Sequence, residues 1–262
     1  EVDFTFDSDD PTRWSIEFPL GTGGDLTLDL VDEHGLVNLD PIRYRFETIE
    51  DRVPTVTISR PVSDESVSAK AVVPVTVEAR DDVALEGLEV EATLRRGGED
   101  SQIAVIATIA DRRNPDSGLD TSATVDVDLD LSTLDPRGGD EVVLRAIASD
   151  NFEIEGVRHP EVVSSPRKLL VVSDAEVAQQ LRSGLSSLRR TAIRLEGEQA
   201  DLQAMVESRG VDESVRRGQA RMGDRIASAE EVLESIARRR DRNQIDDPLL
   251  EEVLRQSQDI LD

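Results

Sequence analysis

The sequence contains no cysteine. That excludes disulfides and thiolate metal centres, while leaving the cellular compartment open. Lysine is almost missing too: of 30 basic residues only Lys70 and Lys168 are lysine. Aromatic residues make up 3% of the chain, and six of them fall in the first fifty positions: Phe4, Phe6, Trp14, Phe18, Tyr44 and Phe46. No apolar run approaches the roughly 20 residues that cross a bilayer. No signal peptide opens the chain. Glu1 lies within a strand pattern and Leu261 within a helical one, so the sequence reads as a piece of a longer protein. The missing targeting signals therefore say nothing about the parent. Positive charge is scarce: 56 acidic residues give a net charge of −26. Such a chain is repelled by DNA, RNA and anionic membrane surfaces.

What is present divides into three parts. Residues 1–50 alternate apolar and polar positions in "VDFTF", "RWSIEF", "DLTLDLVD" and "IRYRFET", with turn-formers between them. Four strands with most of the aromatics read as the C-terminal part of an immunoglobulin-like β domain, cored by those rings. "EDRVP" is an acidic linker in which Pro54 keeps Val53 extended. Residues 54–172 then carry seven strand patterns at approximately 55–59, 73–81, 88–95, 103–109, 123–129, 142–150 and 167–172. That spacing predicts an immunoglobulin-like sandwich. Its only aromatic is Phe152, so its core must be built from Val, Leu, Ile and Ala.

From Ser173 the period becomes helical, over residues 173–262. "SDAE" is a capping box, with Ser173 accepting from the Glu176 amide. Apolar residues follow at Leu181, Leu185, Leu188, Ala192, Leu195, Leu202 and Val206. Gly210 and Asp212 mark a helix end and a new N-cap. A second series runs through Val215, Met222, Ile226, Ala229, Leu233 and Ile236. Folding at Gly210 sets Leu202 against Val215, Leu195 against Met222, Leu181 against Ile236, and Gln199 against Gln219. The spacing predicts an antiparallel helical hairpin or coiled coil roughly 45 Å long at 1.5 Å per residue, with the Gln199–Gln219 pair fixing its register as a polar layer. "DDPLLEE" starts a third helix, capped by Asp247, whose apolar stripe packs on the hairpin. The fold class is thus all-β followed by all-α.

Catalytic patterns are absent. His34 and His159 lie in turn-rich segments with no triad or metal-ligand spacing, and both read as surface residues. "GTGGD" lacks a following helix and a P-loop lysine, so it reads as a hairpin turn. Carboxylates are so numerous that no pair singles itself out as acid and base. "RRRDR" at 238–242 suits a helix C-terminus, where arginine favours the dipole.

One recurrent feature remains. "VTVEARDD" continues the inward row Val75, Val77, Ala79 into Asp81. "VLRAIASDN" continues Leu144, Ala146, Ala148 into Asp150, and "LTLDLVDEHG" continues Leu26, Leu28, Leu30 into Asp32. In a seven-stranded sandwich the second and sixth strands run the same way. Their ends meet at the pole where the chain enters, bringing Asp51, Asp81, Asp82, Asp150 and Asn151 together. Two readings follow: a calcium cage of carboxylate and amide oxygens, or Asx turns in which each side chain bonds its own backbone.

The acid-x-x-Pro linker, the strand ending Ala79-Arg80-Asp81-Asp82, and the direct passage of Lys168–Ser173 into helix resemble large uncharacterised bacterial cell-envelope proteins. In these, immunoglobulin- or cadherin-like repeats precede coiled coils. The chain departs from cadherins in having neither a DxNDN linker nor a Leu-Asp-Arg-Glu motif, so no ligands carry over. The resemblance implies an extracytoplasmic, membrane-anchored parent and no catalysis here. The expected role is a β stalk coupled to a helical element for self-association or protein partners. The alternative is calcium-dependent adhesion or ligand binding through the acidic pole.

Overall fold

The computed structural model describes residues 3–6, 14–17, 23–48, 50–110, 120–154 and 156–261; side chains of 3–6, 14–17, 109–110 and 257–261 are outside the description. The chain forms two compact units, Glu1–Arg52 and Val53–Asp262.

The first unit contains two antiparallel strand pairs: β1 (Asp3–Phe6) with β2 (Trp14–Glu17), and β3 (Gly24–Thr27) with β4 (Arg43–Phe46). A methyl added at Gly24 would lie 3.3 Å from the Phe46 ring, so the ring packs over that glycine. Of the aromatic core expected here, the side chains of Phe4, Phe6, Trp14 and Phe18 lie outside the described residues, and Tyr44 is exposed. The Asp32 carboxylate accepts from the amides of His34 (2.9 Å) and Leu36 (2.8 Å), so the acid that ends this strand pattern folds a turn.

The second unit begins with strands β5 (Thr55–Arg60), β6 (Glu65–Ser68), β7 (Val72–Arg80), β8 (Leu85–Arg96), β9 (Glu99–Ala110) and β10 (Ser122–Asp130). It continues through β11 (Glu141–Asp150), β12 (Glu153–Ile154), β13 (Val157–Arg158), β14 (Val162–Val163) and β15 (Arg167–Val172). One sheet has the order β10-β7-β5; the other has the order β6-β15-β11-β8-β9, with β14 on β11. The two sheets share one core, because the alternation of Val, Leu and Ala along each strand turns one face inward. Val73, Val75, Val77 and Ala79 meet Leu88, Val90, Ala92, Leu94, Leu144, Ala146 and Ala148 there. Aliphatic packing over this area supplies roughly 25 cal/mol per Å² of apolar surface removed from water. β6 pairs with β15 in parallel, whereas β5 pairs with β7, so the chain changes sheets between β5 and β6.

Three helices follow: α1 (Asp174–Arg209), α2 (Glu213–Arg242) and α3 (Pro248–Leu261). Ser173 caps α1 directly after β15, and both bonds of the capping box are present. Asp212 caps α2, accepting from the Val215 amide at 2.9 Å. α1 and α2 run side by side in opposite directions. Glu198 pairs with Arg225 and Gln180 with Arg239. The apolar series turn inward: Leu181, Leu185, Leu188 and Leu195 are buried, as are Val215, Met222, Ala229, Leu233 and Ile236.

The glutamine layer is a correction. Gln199 and Gln219 are both exposed. The seam at that level is filled by Leu202 against Gly218: a methyl added at Gly218 would sit 2.6 Å from a Leu202 methyl carbon. Ile236 likewise lies over Gly184. Side-chain periodicity alone predicted Leu202 opposite Val215. The missing side chain at Gly218 lets the helices approach there instead, and the Glu198–Arg225 pair spans the flank.

Helices and sandwich join through β6. Ser68 and Asn243 are both 0% exposed. The Ser68 amide donates to Asn243 Oδ1 at 2.7 Å, the Ser68 hydroxyl donates to the Asn243 carbonyl at 2.8 Å, and Asn243 Nδ2 donates to the Arg239 carbonyl at 2.7 Å. Arg242 pairs with Glu65, and Arg239 donates to the Ser66 carbonyl at 3.2 Å. Burial in this junction, with Arg242 nearby, lowers the Arg239 pKa from its ordinary value.

Candidate functional site at the acidic pole

β7 and β11 deliver their inward rows to the same end of the sandwich. Asp81 leaves β7 with its amide bonded to the Thr121 carbonyl at 2.9 Å. Its Oδ2 accepts from the amides of Val83 (2.8 Å) and Ala84 (2.6 Å), which folds the turn into β8. The Ala84 carbonyl then accepts from the Asn151 amide at 3.3 Å, and Asp150 lies opposite Leu85 in the ladder after a register shift at Ser149. The structure thus brings Asp81, Asp150 and Asn151 around one backbone turn. Asp82 is exposed beside it. Asp51 belongs to the first unit, Glu1–Arg52, and is described apart from them.

Asp150 is held by residues the sequence did not single out. Its side chain is 2% exposed, and Oδ2 lies 2.7 Å from Nδ1 of His159, itself 19% exposed. Oδ1 accepts from the Phe152 amide at 3.2 Å. The His159 ring stacks on Phe152 with centroids 3.9 Å apart and planes 7° from parallel. The sequence read His159 as a surface residue; the hairpin β12–β13 overturns that. Its register sets Glu153 opposite Arg158 and Ile154 opposite Val157, and the next step outward sets Phe152 opposite His159. The signal was "IEGV", an apolar pair around a glycine, since Gly156 has φ +79° and only glycine adopts that freely.

The chemistry of this arrangement is limited by what its oxygens already do. A carboxylate is acceptor-only, so a hydrogen bond between an ionised Asp150 and His159 requires the proton on Nδ1. Among the described residues no hydroxyl is hydrogen-bonded to His159. For a hard cation, both Asp150 oxygens and Asp81 Oδ2 are already engaged. Asp81 Oδ1 differs: it is shut off from solvent and no hydrogen bond reaches it. That oxygen fits the donor set a calcium ion takes.

No helix among the described residues is long and apolar enough to cross a membrane. No family model matches the chain, and no curated protein matches it. Among solved structures it is similar to a Niemann-Pick type C2 protein from Japanese carpenter ant, at 14% identity and a TM-score of 0.26, over 48% of this chain and 99% of that one. It is also similar to Spo0M, a sporulation control protein from Bacillus subtilis, at 11% identity and a TM-score of 0.26, over 51% of this chain and 56% of that one.

Proposed function

We propose that the protein is a non-catalytic structural segment of a larger, membrane-tethered envelope protein, standing outside the cytoplasm. In it an immunoglobulin-like β stalk is coupled to a coiled-coil hairpin that assembles with protein partners or with itself. The envelope location rests on the sequence resemblance. The coupling rests on one observation: the strand-to-helix junction is closed at both of its chain crossings. β15 passes into α1 through the single residue Ser173, and the returning end of α2 is fastened to β6 by the buried Ser68–Asn243 bonds. A hinge would leave these polar groups in water; burying them ties the orientation of the helices to that of the sheet.

Native-state hydrogen exchange tests the coupling. Amides of β6, β15 and the adjoining halves of α1 and α2 are expected to open at one free energy, and Asn243→Ala should lower it for strands and helices together. Helices that open alone, with β6 and β15 still protected in the same molecules, would sink this reading.

A second reading, calcium-dependent adhesion or ligand binding at the acidic pole, is favoured by the buried, unpartnered Oδ1 of Asp81. Titration calorimetry with calcium chloride decides it. Millimolar or tighter binding that Asp81→Ala abolishes is the supporting result. Silence with the wild-type protein retires it.

A further inference from the structure

We propose that two copies of this chain associate through β9, pairing strand to strand across a two-fold axis so that their larger sheets become one. This contact lies on the sandwich, apart from any assembly through the helices, and does not depend on it.

β9 ends the sheet β6-β15-β11-β8-β9, and among the described residues it pairs with β8 alone. An edge strand presents backbone donors and acceptors that a further strand can take up, and proteins blunt such edges with cover or charge. The other strands that end the two sheets are blunted. β6 is covered by the end of α2, through Asn243 on the Ser68 amide and Arg239 on the Ser66 carbonyl. At the end of β5 the Arg167 side chain donates to the Pro61 carbonyl at 3.0 Å. β10 carries Asp126, Asp128 and Asp130 at alternate, exposed positions, so a copy of itself alongside would set acid against acid. β9 has neither device. Residues 101–110 contain no charge and no proline, and they are the longest uncharged run in a chain of which 33% is charged.

The alternation of β9 turns Ile103, 62% exposed, and Val105, 53% exposed, outward, while Ala104, Ile106 and Ala107 pack toward the core. The register with β8 slips on either side of this row, so residues 102–105 form a regular stretch opposite 94–91. Those bulges set the length of the contact. A two-fold axis through Ala104 places Ile103 of each copy opposite Val105 of the other and keeps inward residues opposite inward ones. Glu99 and Asp100 lie outside this stretch, and Arg95 holds Asp100 at 2.6 Å.

Charge selects the occupant. Two copies of a chain of net charge −26 repel each other, and an uncharged edge is where they can approach. A basic partner would be drawn to acids, and residues 101–110 offer it none. The contact also closes on itself. It uses the same edge of both copies, as an isologous interface requires, and the covered or charged edges give a third chain nowhere to pair.

Light scattering on the full chain up to about 1 mM, with hydrogen exchange at both ends of the series, tests this. The wild-type protein is expected to approach the mass of two copies. The amides among residues 102–105 that β8 leaves in solvent should exchange several-fold more slowly at the concentrated end. Ile103→Glu with Val105→Glu, both at exposed positions, should weaken association by at least about tenfold, because like charges then lie opposite across the axis. Ile103→Glu with Val105→Lys removes the same apolar surface but sets opposite charges face to face, and should associate more tightly than the first pair. Circular dichroism checks that both variants keep the fold, and the exchange measurement needs no variant. A monomer throughout the series overturns this contact. So does a dimer whose β9 amides exchange as in the monomer, the signature of association through the helices. Equal weakening by the two double substitutions overturns the axis at Ala104.

Discussion

Asn243 and Ser68 hydrogen-bond each other twice where the end of α2 meets the sheet edge, and neither is reached by solvent. An edge strand leaves a row of backbone donors and acceptors unpaired, and proteins cover or charge such edges. Here one amide side chain does the covering: its oxygen takes the Ser68 amide while its nitrogen bonds the Arg239 carbonyl. Asn243→Ala strands the Ser68 amide in a buried site and removes one of the two donors to the Arg239 carbonyl, which keeps the backbone amide of residue 243. The expected cost is about 2–3 kcal/mol, read as a lower midpoint in urea unfolding. Ser68→Ala removes only the hydroxyl donor and should cost about 1 kcal/mol. Equal effects from the two substitutions would contradict this division of labour.

The His159–Asp150 pair makes a second prediction. His159→Ala leaves a nearly buried carboxylate with one oxygen unpartnered, and also removes the ring stacked on Phe152. A loss of about 2 kcal/mol or more follows. Asp150→Asn keeps an oxygen for the Phe152 amide and turns the other contact into a neutral one, so it should cost less. Nitrogen-15 NMR of the ring should show the proton on Nδ1. A spectrum with the proton on Nε2 would mean that Asp150 does not orient the ring.

These two contacts mark how far the sequence carried. The alternating rows of β7 and β11, and the caps at Ser173 and Asp212, were legible because each follows from a local period or a local hydrogen bond. The turn at Asp81 was legible as one of two readings, and its Oδ2 bonds to Val83 and Ala84 are the Asx geometry. β6 was missed because "ESVS" has too few apolar residues to show a period; its strand form comes from pairing with β15. The helix seam was misread at Gln199 and Gln219 because matching side-chain types cannot reveal that Gly218, lacking a side chain, admits Leu202. His159 was missed because its partner lies nine residues back, across a hairpin whose two strands have two residues each.

The helical glycines allow a prediction that separates propensity from packing. A methyl added at Gly197 or Gly223 would meet nothing within 4 Å. Both positions sit inside long helices and are exposed. Gly197→Ala and Gly223→Ala should each stabilise by about 0.5–1 kcal/mol. Gly218→Ala gains the same backbone term but must displace a Leu202 methyl carbon, so its net gain should be smaller or negative. Thermal melts of the three variants check this. A Gly218→Ala melt equal to that of Gly223→Ala would show that the helices do not approach closely at Leu202.

The acid limb of stability is where Asp140 should be seen. Its carboxylate is buried and takes the Arg96 guanidinium at 2.9 Å, together with the Arg137 amide at 2.8 Å. The Arg96 hydrogen bonds, aided by that amide and opposed by burial, hold its pKa below the ordinary 3.8. The folded state therefore binds the proton less readily than the unfolded chain. Above the unfolded value both states are ionised, and the stabilisation is present in full. As pH falls below that value the unfolded chain is protonated first, and the contribution drains away until the folded carboxyl also titrates. The caps act in the same direction. Hydrogen bonds from Ser214 and the Val215 amide lower Asp212, and the Leu250 amide and Arg182 lower Asp247. Urea midpoints measured between about pH 6 and pH 2.5 should thus fall in the wild-type protein. Asp140→Asn, which keeps an acceptor for Arg137 but cannot titrate, should start lower at neutral pH and fall less steeply. Parallel curves for the two proteins would mean that Asp140 ionises alike in the folded and unfolded chain, and that its bonds to Arg96 and Arg137 contribute nothing to the acid limb.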